Sequence, residues 1–154
     1  MGKIVDWVPE NLYQEHLKSF PLLTVDAVLS VRRIDGILLI KRNKNNNLWK
    51  NDWATIGGRV FKGETLKQAI SRKVKDEVGL KLPEDIFTEK GIVTIFISGK
   101  HYVTVVFTAH YGGSEKVKLD NTSSKYGFYP LDRLPPLRPA YHEIIRVANQ
   151  TVNQ

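Results

Sequence analysis

The chain has no cysteine, so it has no disulfide framework, no thiolate nucleophile and no cysteine-bound zinc. No apolar run is long enough to span a membrane, and the opening Met1-Gly-Lys-Ile-Val-Asp6 lacks the apolar core of a signal peptide. These absences predict a cytoplasmic protein with no membrane partner. There is no internal repeat, no evident linker and no recognisable nucleic-acid motif, and basic residues form no long run. Nucleic acid therefore ranks below a small polyanion as a partner. Histidine is scarce: His16, His101, His110 and His142 are the four in the chain, and each reads as structural or surface.

What remains is ordinary for a globular protein. A length of 154 residues allows one domain, taken as 1–154, with a substantial core. Hydrophobic residues make up 42% and charged residues 25%. The net charge of +7 is unevenly placed. Residues 41–81 hold eleven Lys or Arg against four Asp or Glu, whereas the rest of the chain holds twelve of each. A basic surface in that stretch attracts a polyanionic substrate. A solvated basic face without function is the plainer alternative.

The same stretch contains an ordered pattern, from Gly58 to Leu80. Gly57-Gly58 is followed by Glu64, then Arg72, then Asp76-Glu77 and a closing Gly79-Leu80. Thr65 and Gln68 are spaced as a capping box at a helix start, and Gly79 supplies the stop. Leu66, Ile70, Val74 and Val78 recur every four residues and form one apolar stripe. At about 100° per residue, Glu77 falls on or beside that stripe and Asp76 points to another flank. A partly desolvated carboxylate needs a partner or a metal. Two neighbouring carboxylates suit Mg²⁺ or Mn²⁺, which keep several waters and borrow phosphate oxygens. The plainer reading is again available. Lys73 stands four residues before Glu77 and Arg72 four before Asp76, both spaced for ordinary intrahelical ion pairs.

End to end, this pattern resembles the Nudix box, the loop–helix–loop with which Nudix hydrolases bind a divalent metal and a diphosphate. One position departs: the family has Glu directly after the Arg, and this chain has Lys73. The resemblance implies an α/β fold, an α/β/α sandwich around a mixed sheet. It also implies a metal-dependent hydrolase. Within the family the chain is most similar to the GDP-mannose mannosyl hydrolases, from about Pro21 to Leu134. They too lack that Glu, and they release a nucleoside diphosphate and a free sugar.

That resemblance carries over residue by residue. Asp26 matches an Asp that contacts substrate. Arg42 and Arg59 match two Arg residues that assist the leaving diphosphate, and Tyr102 matches a Tyr that contacts it. Gly57 matches a glycine whose carbonyl binds the metal. Glu77 matches the remaining carboxylate ligand, with Asp76 beside it. The expected substrate is thus a nucleoside diphosphate sugar, with Mg²⁺ or Mn²⁺ as cofactor and a homodimer as an open assembly. The late-loop His that activates water in that subgroup has no counterpart. Thr122 and Ser123 stand there, with Asp120 nearby as an alternative base or ligand. A pyrophosphohydrolase acting on another diphosphate, and a binding module without turnover, remain the two other readings.

The rest of the chain reads as mixed α/β. A helix is expected over 9–18, strands at Leu22–Val31 and Ile37–Ile40 around an Ile34-Asp-Gly36 turn, and a polar loop at Asn43–Asn47. A short strand follows at Trp53–Ile56. Strands are expected at Gly91–Ile97, His101–Tyr111 and Tyr126–Leu131. Pro139 opens a C-terminal helix running to about residue 149.

Overall fold

The computed structural model describes residues 3–5, 7–32, 34–44 and 49–150. Seven strands form one mixed sheet: β1 Leu22–Val31, β2 Ile34–Arg42, β3 Trp53–Ala54, β4 Ile56–Arg59, β5 Thr88–Ile97, β6 Lys100–Tyr111 and β7 Ser123–Tyr129. Among the described residues three α-helices accompany it: α1 Glu10–Ser19, α2 Leu66–Val78 and α3 Pro139–Ala148. Helix α2 packs on β1 and β4, and α3 packs on β1, β5 and β6. The expected mixed sheet with flanking helices is therefore present.

Strand β1 is the hub. It pairs in parallel with β6 along its whole length, from Leu22 opposite Tyr102 to Val31 opposite Tyr111. On its other edge it pairs antiparallel with β4 at one end and β2 at the other. A strand flanked on both edges and covered on both faces must be apolar almost throughout. Val25, Ala27 and Leu29 are fully buried, and Val28 on the opposite side is nearly so. Asp26 interrupts that run. The interruption is tolerated because Asp26 borders a cleft and its carboxyl accepts a hydrogen bond from Thr55.

Several strand boundaries differ from expectation; β5, for one, starts at Thr88 rather than Gly91, and β7 ends at Tyr129 rather than Leu131. Ile34–Gly36 lies inside β2, with Val31 of β1 already opposite Ile34, so the expected turn is instead part of a strand. Residue 33 and part of the expected Asn43–Asn47 loop lie outside the described residues. The last strand starts at Ser123, earlier than Tyr126, because β2 offers it partners as far as Arg42. Trp53–Ile56 divides into β3, which pairs with β2, and the start of β4, which pairs with β1.

Helix α2 follows its sequence signals closely. Thr65 accepts from the backbone N–H of Gln68, and the Gln68 side chain accepts from the Thr65 N–H, which completes the capping box. Gly79 ends the helix at φ +72°, a left-handed conformation that favours glycine. Ile70, Val74 and Val78 are fully buried, while Leu66 at the entrance is only partly so. Burial of such side chains contributes about 1.5–3 kcal/mol each. The stripe thereby fixes the rotation of α2, and with it the direction in which Arg72, Lys73, Asp76 and Glu77 point.

Candidate active site

A cleft of about 400 Å³ opens where β1, β2, β4 and β6 bring residues together. It is lined by Asp26, Arg42, Gly57, Gly58, Arg59 and Tyr102, with Trp49 and Tyr141 among its other lining residues. Five of the seven sequence-selected positions, Asp26, Arg42, Gly57, Arg59 and Tyr102, therefore meet in one place. Glu77 lies close enough to couple electrostatically with Asp26 and Arg42. Asp76 does not join them.

Pairing of β1 with β4 sets Asp26 opposite Gly57. A Cβ on Gly57 would stand 2.3 Å from the Val25 carbonyl oxygen and 2.6 Å from Asp26 Cγ, so any side chain there would expel the carboxyl. Thr55 donates a 2.6 Å hydrogen bond to Asp26 Oδ1. Burial pushes the Asp26 pKa up to about 7; the Thr55 hydrogen bond, Arg42 and Lys73 pull against this, and Glu77 adds to it. The carboxyl still borders the cleft, so it is partly desolvated and also within reach of a ligand.

The cations are held by aromatic rings. The Arg59 guanidinium lies 4.9 Å from the Tyr13 ring centre and 5.4 Å from that of Phe61. Such contacts pre-orient the planar fork. Arg42 Nη1 donates to the Tyr141 hydroxyl at 3.4 Å. Trp49 packs edge-on against the same Tyr141 ring at 5.0 Å. Burial raises the Tyr102 pKa, with Tyr13 adding and Arg42 opposing, so the phenol stays protonated and able to donate.

On α2 the two ion pairs differ. Arg72 grips Glu64 through Nε at 2.5 Å and Nη2 at 3.1 Å, and also donates to the Arg59 carbonyl at 3.0 Å. Glu64 also accepts from the Phe61 N–H at 2.8 Å. Burial opposes ionisation of Glu64, but the Arg72 and Phe61 hydrogen bonds and the Arg72 charge outweigh it and lower the pKa. Glu64 thus shapes the loop that carries Arg59. Lys73 Nζ lies 2.9 Å from Glu77 Oε1, and both side chains are largely buried. Burial raises the Glu77 pKa; Lys73 opposes, first by its charge and then by its hydrogen bond.

The expected pair of metal ligands is not assembled. The Asp76 side chain is 54% exposed and faces Arg72 at 3.8 Å, because adjacent helical residues diverge by about 100°. Among the described residues, no group of three or more His, Asp or Glu is arranged to hold a metal ion. Glu77 is neutralised by an ammonium rather than left open. The residues present therefore do not fit a resident divalent ion in this arrangement.

Asp120 is committed to its own loop. Its Oδ1 accepts from the Thr122 N–H at 3.0 Å and from the Thr122 hydroxyl at 2.7 Å, and its N–H donates to the Glu77 carbonyl. The histidines fall outside the cleft lining. His16 contacts the Pro21 carbonyl, His110 contacts Ser30, and His101 stacks on Phe96. Sequence reasoning did not single out Thr55, Tyr141, Trp49 or Tyr13. Tyr141 is 99 positions from Arg42, and no local spacing signals such a contact.

Comparison with known proteins bears on the family and the fold. The NUDIX domain pattern matches residues 21–148. The ADP-ribose pyrophosphatase of Methanocaldococcus jannaschii is 30% identical over 141 residues, covering 88% of this chain and 78% of that protein. The NAD-capped RNA hydrolase NudC of Stutzerimonas stutzeri is 28% identical over 84% of this chain, which spans only 44% of NudC. Among solved structures, the NUDIX domain of Shewanella oneidensis NrtR complexed with ADP ribose superposes with a TM-score of 0.68. It is 22% identical, and the match covers 91% of this chain and 96% of that one.

Proposed function

This chain belongs to the Nudix family, and from that premise we propose that it is a hydrolase of a nucleoside diphosphate joined to a sugar. The observation that carries this reading is the convergence of Arg42 and Arg59 on one cleft, with Lys73 beside it, over a floor formed by Asp26 and the Gly57-Gly58 backbone. A diphosphate places several anionic oxygens within a few ångströms. Arg binds such oxygens through two parallel N–H donors, and preorganised cations gain strength as charge builds on a leaving phosphate. Tyr102 supplies a neutral donor beside them. Asp26 is placed to accept a proton or to hold a sugar hydroxyl, as a carboxyl poised near neutral pH.

ADP-ribose leads the candidate substrates, given the ADP-ribose pyrophosphatase relative. GDP-mannose stands as the alternative within the same class. Nudix hydrolases generally use divalent ions, which supply charge to the diphosphate and activate water. Here the Lys73–Glu77 pair argues against resident Mg²⁺ or Mn²⁺ and favours a second reading, a module that binds the diphosphate with little turnover.

The test is a turnover screen of ADP-ribose and GDP-mannose, with and without Mg²⁺ or Mn²⁺, with products separated by anion-exchange chromatography. AMP with ribose phosphate identifies cleavage between the phosphorus atoms. GDP with free mannose identifies cleavage at the sugar. Saturable binding without product supports the module, and absence of both binding and turnover refutes the reading.

A further inference from the structure

Lys73 is the one position where this chain reverses the sign of a charge in the phosphate-binding helix, and its surroundings show that the reversal is built in. Its side chain is only 21% exposed, although a lysine on a helix normally reaches water. Its stem crosses Gly58: a Cβ there would lie 2.7 Å from Lys73 Cε and 3.1 Å from Nζ. The glycine leaves room for the lysine, and Gly58 itself lines the cleft. The ammonium is therefore fixed beside the cleft lining. Glu77 occupies one of its three donors, at 2.9 Å. Asp26 also responds to its charge.

Charge points the same way at this position. The cleft lining carries Arg42, Arg59 and Lys100 against Asp26 and Glu10, and Asp120 adds negative charge near Glu77. A glutamate at 73 would place one more negative charge beside Glu77, where lysine supplies a positive one.

We propose that the Lys73 ammonium, anchored on Glu77, takes the place of a divalent cation as the positive charge that receives the diphosphate, so that this chain binds diphosphates without metal. The inference deepens the proposed function and rests on it only for the ligand class, a diphosphate.

Calorimetry with inorganic diphosphate in the presence of EDTA tests the cation site apart from any nucleoside. Wild type should bind, and added Mg²⁺ should change the affinity of the protein for free diphosphate by less than about threefold. Lys73→Met keeps the stem over Gly58 and removes the charge. It should weaken EDTA-resistant binding on the order of 10- to 100-fold, the scale of one charged hydrogen bond, with an unchanged melting temperature as the control for folding. A separate titration with Mn²⁺ alone should show weak binding to wild type and at least tenfold tighter binding to Lys73→Glu.

Diphosphate binding that requires Mg²⁺, an unaffected Lys73→Met, or Mn²⁺ affinity in wild type equal to that of Lys73→Glu would each overturn the inference. The two readings can fail separately. Metal-free diphosphate binding that Lys73→Met abolishes, with no affinity for ADP-ribose or GDP-mannose, refutes the proposed substrate and leaves the cation site standing. Turnover of either nucleotide that depends on metal and ignores Lys73→Met does the reverse.

Discussion

Helix α2 carries two ion pairs from adjacent residues, and they have different fates. Arg72 closes on Glu64 with two donors, places another on the Arg59 carbonyl, and leaves the carboxylate 3% exposed with the Phe61 N–H on its second oxygen. Every polar group in that knot has a partner, so it holds a loop rigid. Lys73 closes on Glu77 at 2.9 Å, behind Gly58 of the cleft lining and near enough to Asp26 to act on its carboxyl. Ion pairs one residue apart on a helix can thus sit in different surroundings: one closes a loop, the other lies behind a cleft, where we propose that it meets ligand.

The largest expected effect breaks the architectural side of this contrast. Arg72→Met leaves Glu64 buried without its counter-ion, which costs about 3–5 kcal/mol of stability. Urea denaturation measures it, and a loss below about 1 kcal/mol would mean that the loop relaxes and hydrates Glu64. Next comes Arg59, which the Glu64–Arg72 knot positions. Arg59→Ala should lower kcat and kcat/KM together by on the order of 10²–10³, with KM little changed. Lys at that position should rescue only in part, because it keeps the charge and loses the planar fork. If steady-state kinetics showed a rise in KM alone, Arg59 would be a ground-state anchor.

A smaller effect sharpens the ligand-binding side. Asp26, its pKa raised to about 7 by burial, keeps a proton in the folded state that the unfolded chain has already lost above the ordinary value of 3.8. The folded state therefore binds more protons across that window, and this group's contribution to stability falls as pH rises from about 4 to 7. The slope reaches at most about 1.4 kcal/mol per pH unit. Asp26→Asn should flatten that part of the profile in denaturation series at several pH values, and an unchanged slope would place the titration elsewhere. The smallest effect belongs to Asp76. Asp76→Ala should change stability by no more than about 0.5 kcal/mol and leave binding unchanged, as for an exposed side chain. A loss of activity would show that Asp76 turns inward when ligand arrives.

The local features were legible because they depend on neighbours in the chain. Thr65, Gln68 and Gly79 set the limits of α2 through backbone hydrogen bonds and a left-handed stop, both decided within a few residues. The four-residue stripe fixed which face is buried, and so announced that Glu77 would be desolvated and Asp76 would point elsewhere. The spacing also announced the Lys73–Glu77 pair. Strand β1 was readable from its continuous apolar run, and the resemblance to the GDP-mannose mannosyl hydrolases selected Asp26, Arg42, Gly57, Arg59 and Tyr102 as one group. The turn was misplaced because Asp35-Gly36 looks like a turn, whereas pairing of Ile34 with Val31 of β1 starts β2 before it.

The sequence by itself determined the family, most of the elements and a capped helix carrying the Nudix pattern with one reversed charge, since these follow from order and spacing along the chain. Only the tertiary structure decided what that charge meets. The closeness of Asp26 to Gly57 comes from a strand register, the Tyr141 contact to Arg42 from the docking of α3, and the confinement of Lys73 from a glycine on another strand. Each unites residues 15 or more positions apart. Burial and electrostatic coupling depend on distance through space, which the order of residues along the chain does not state.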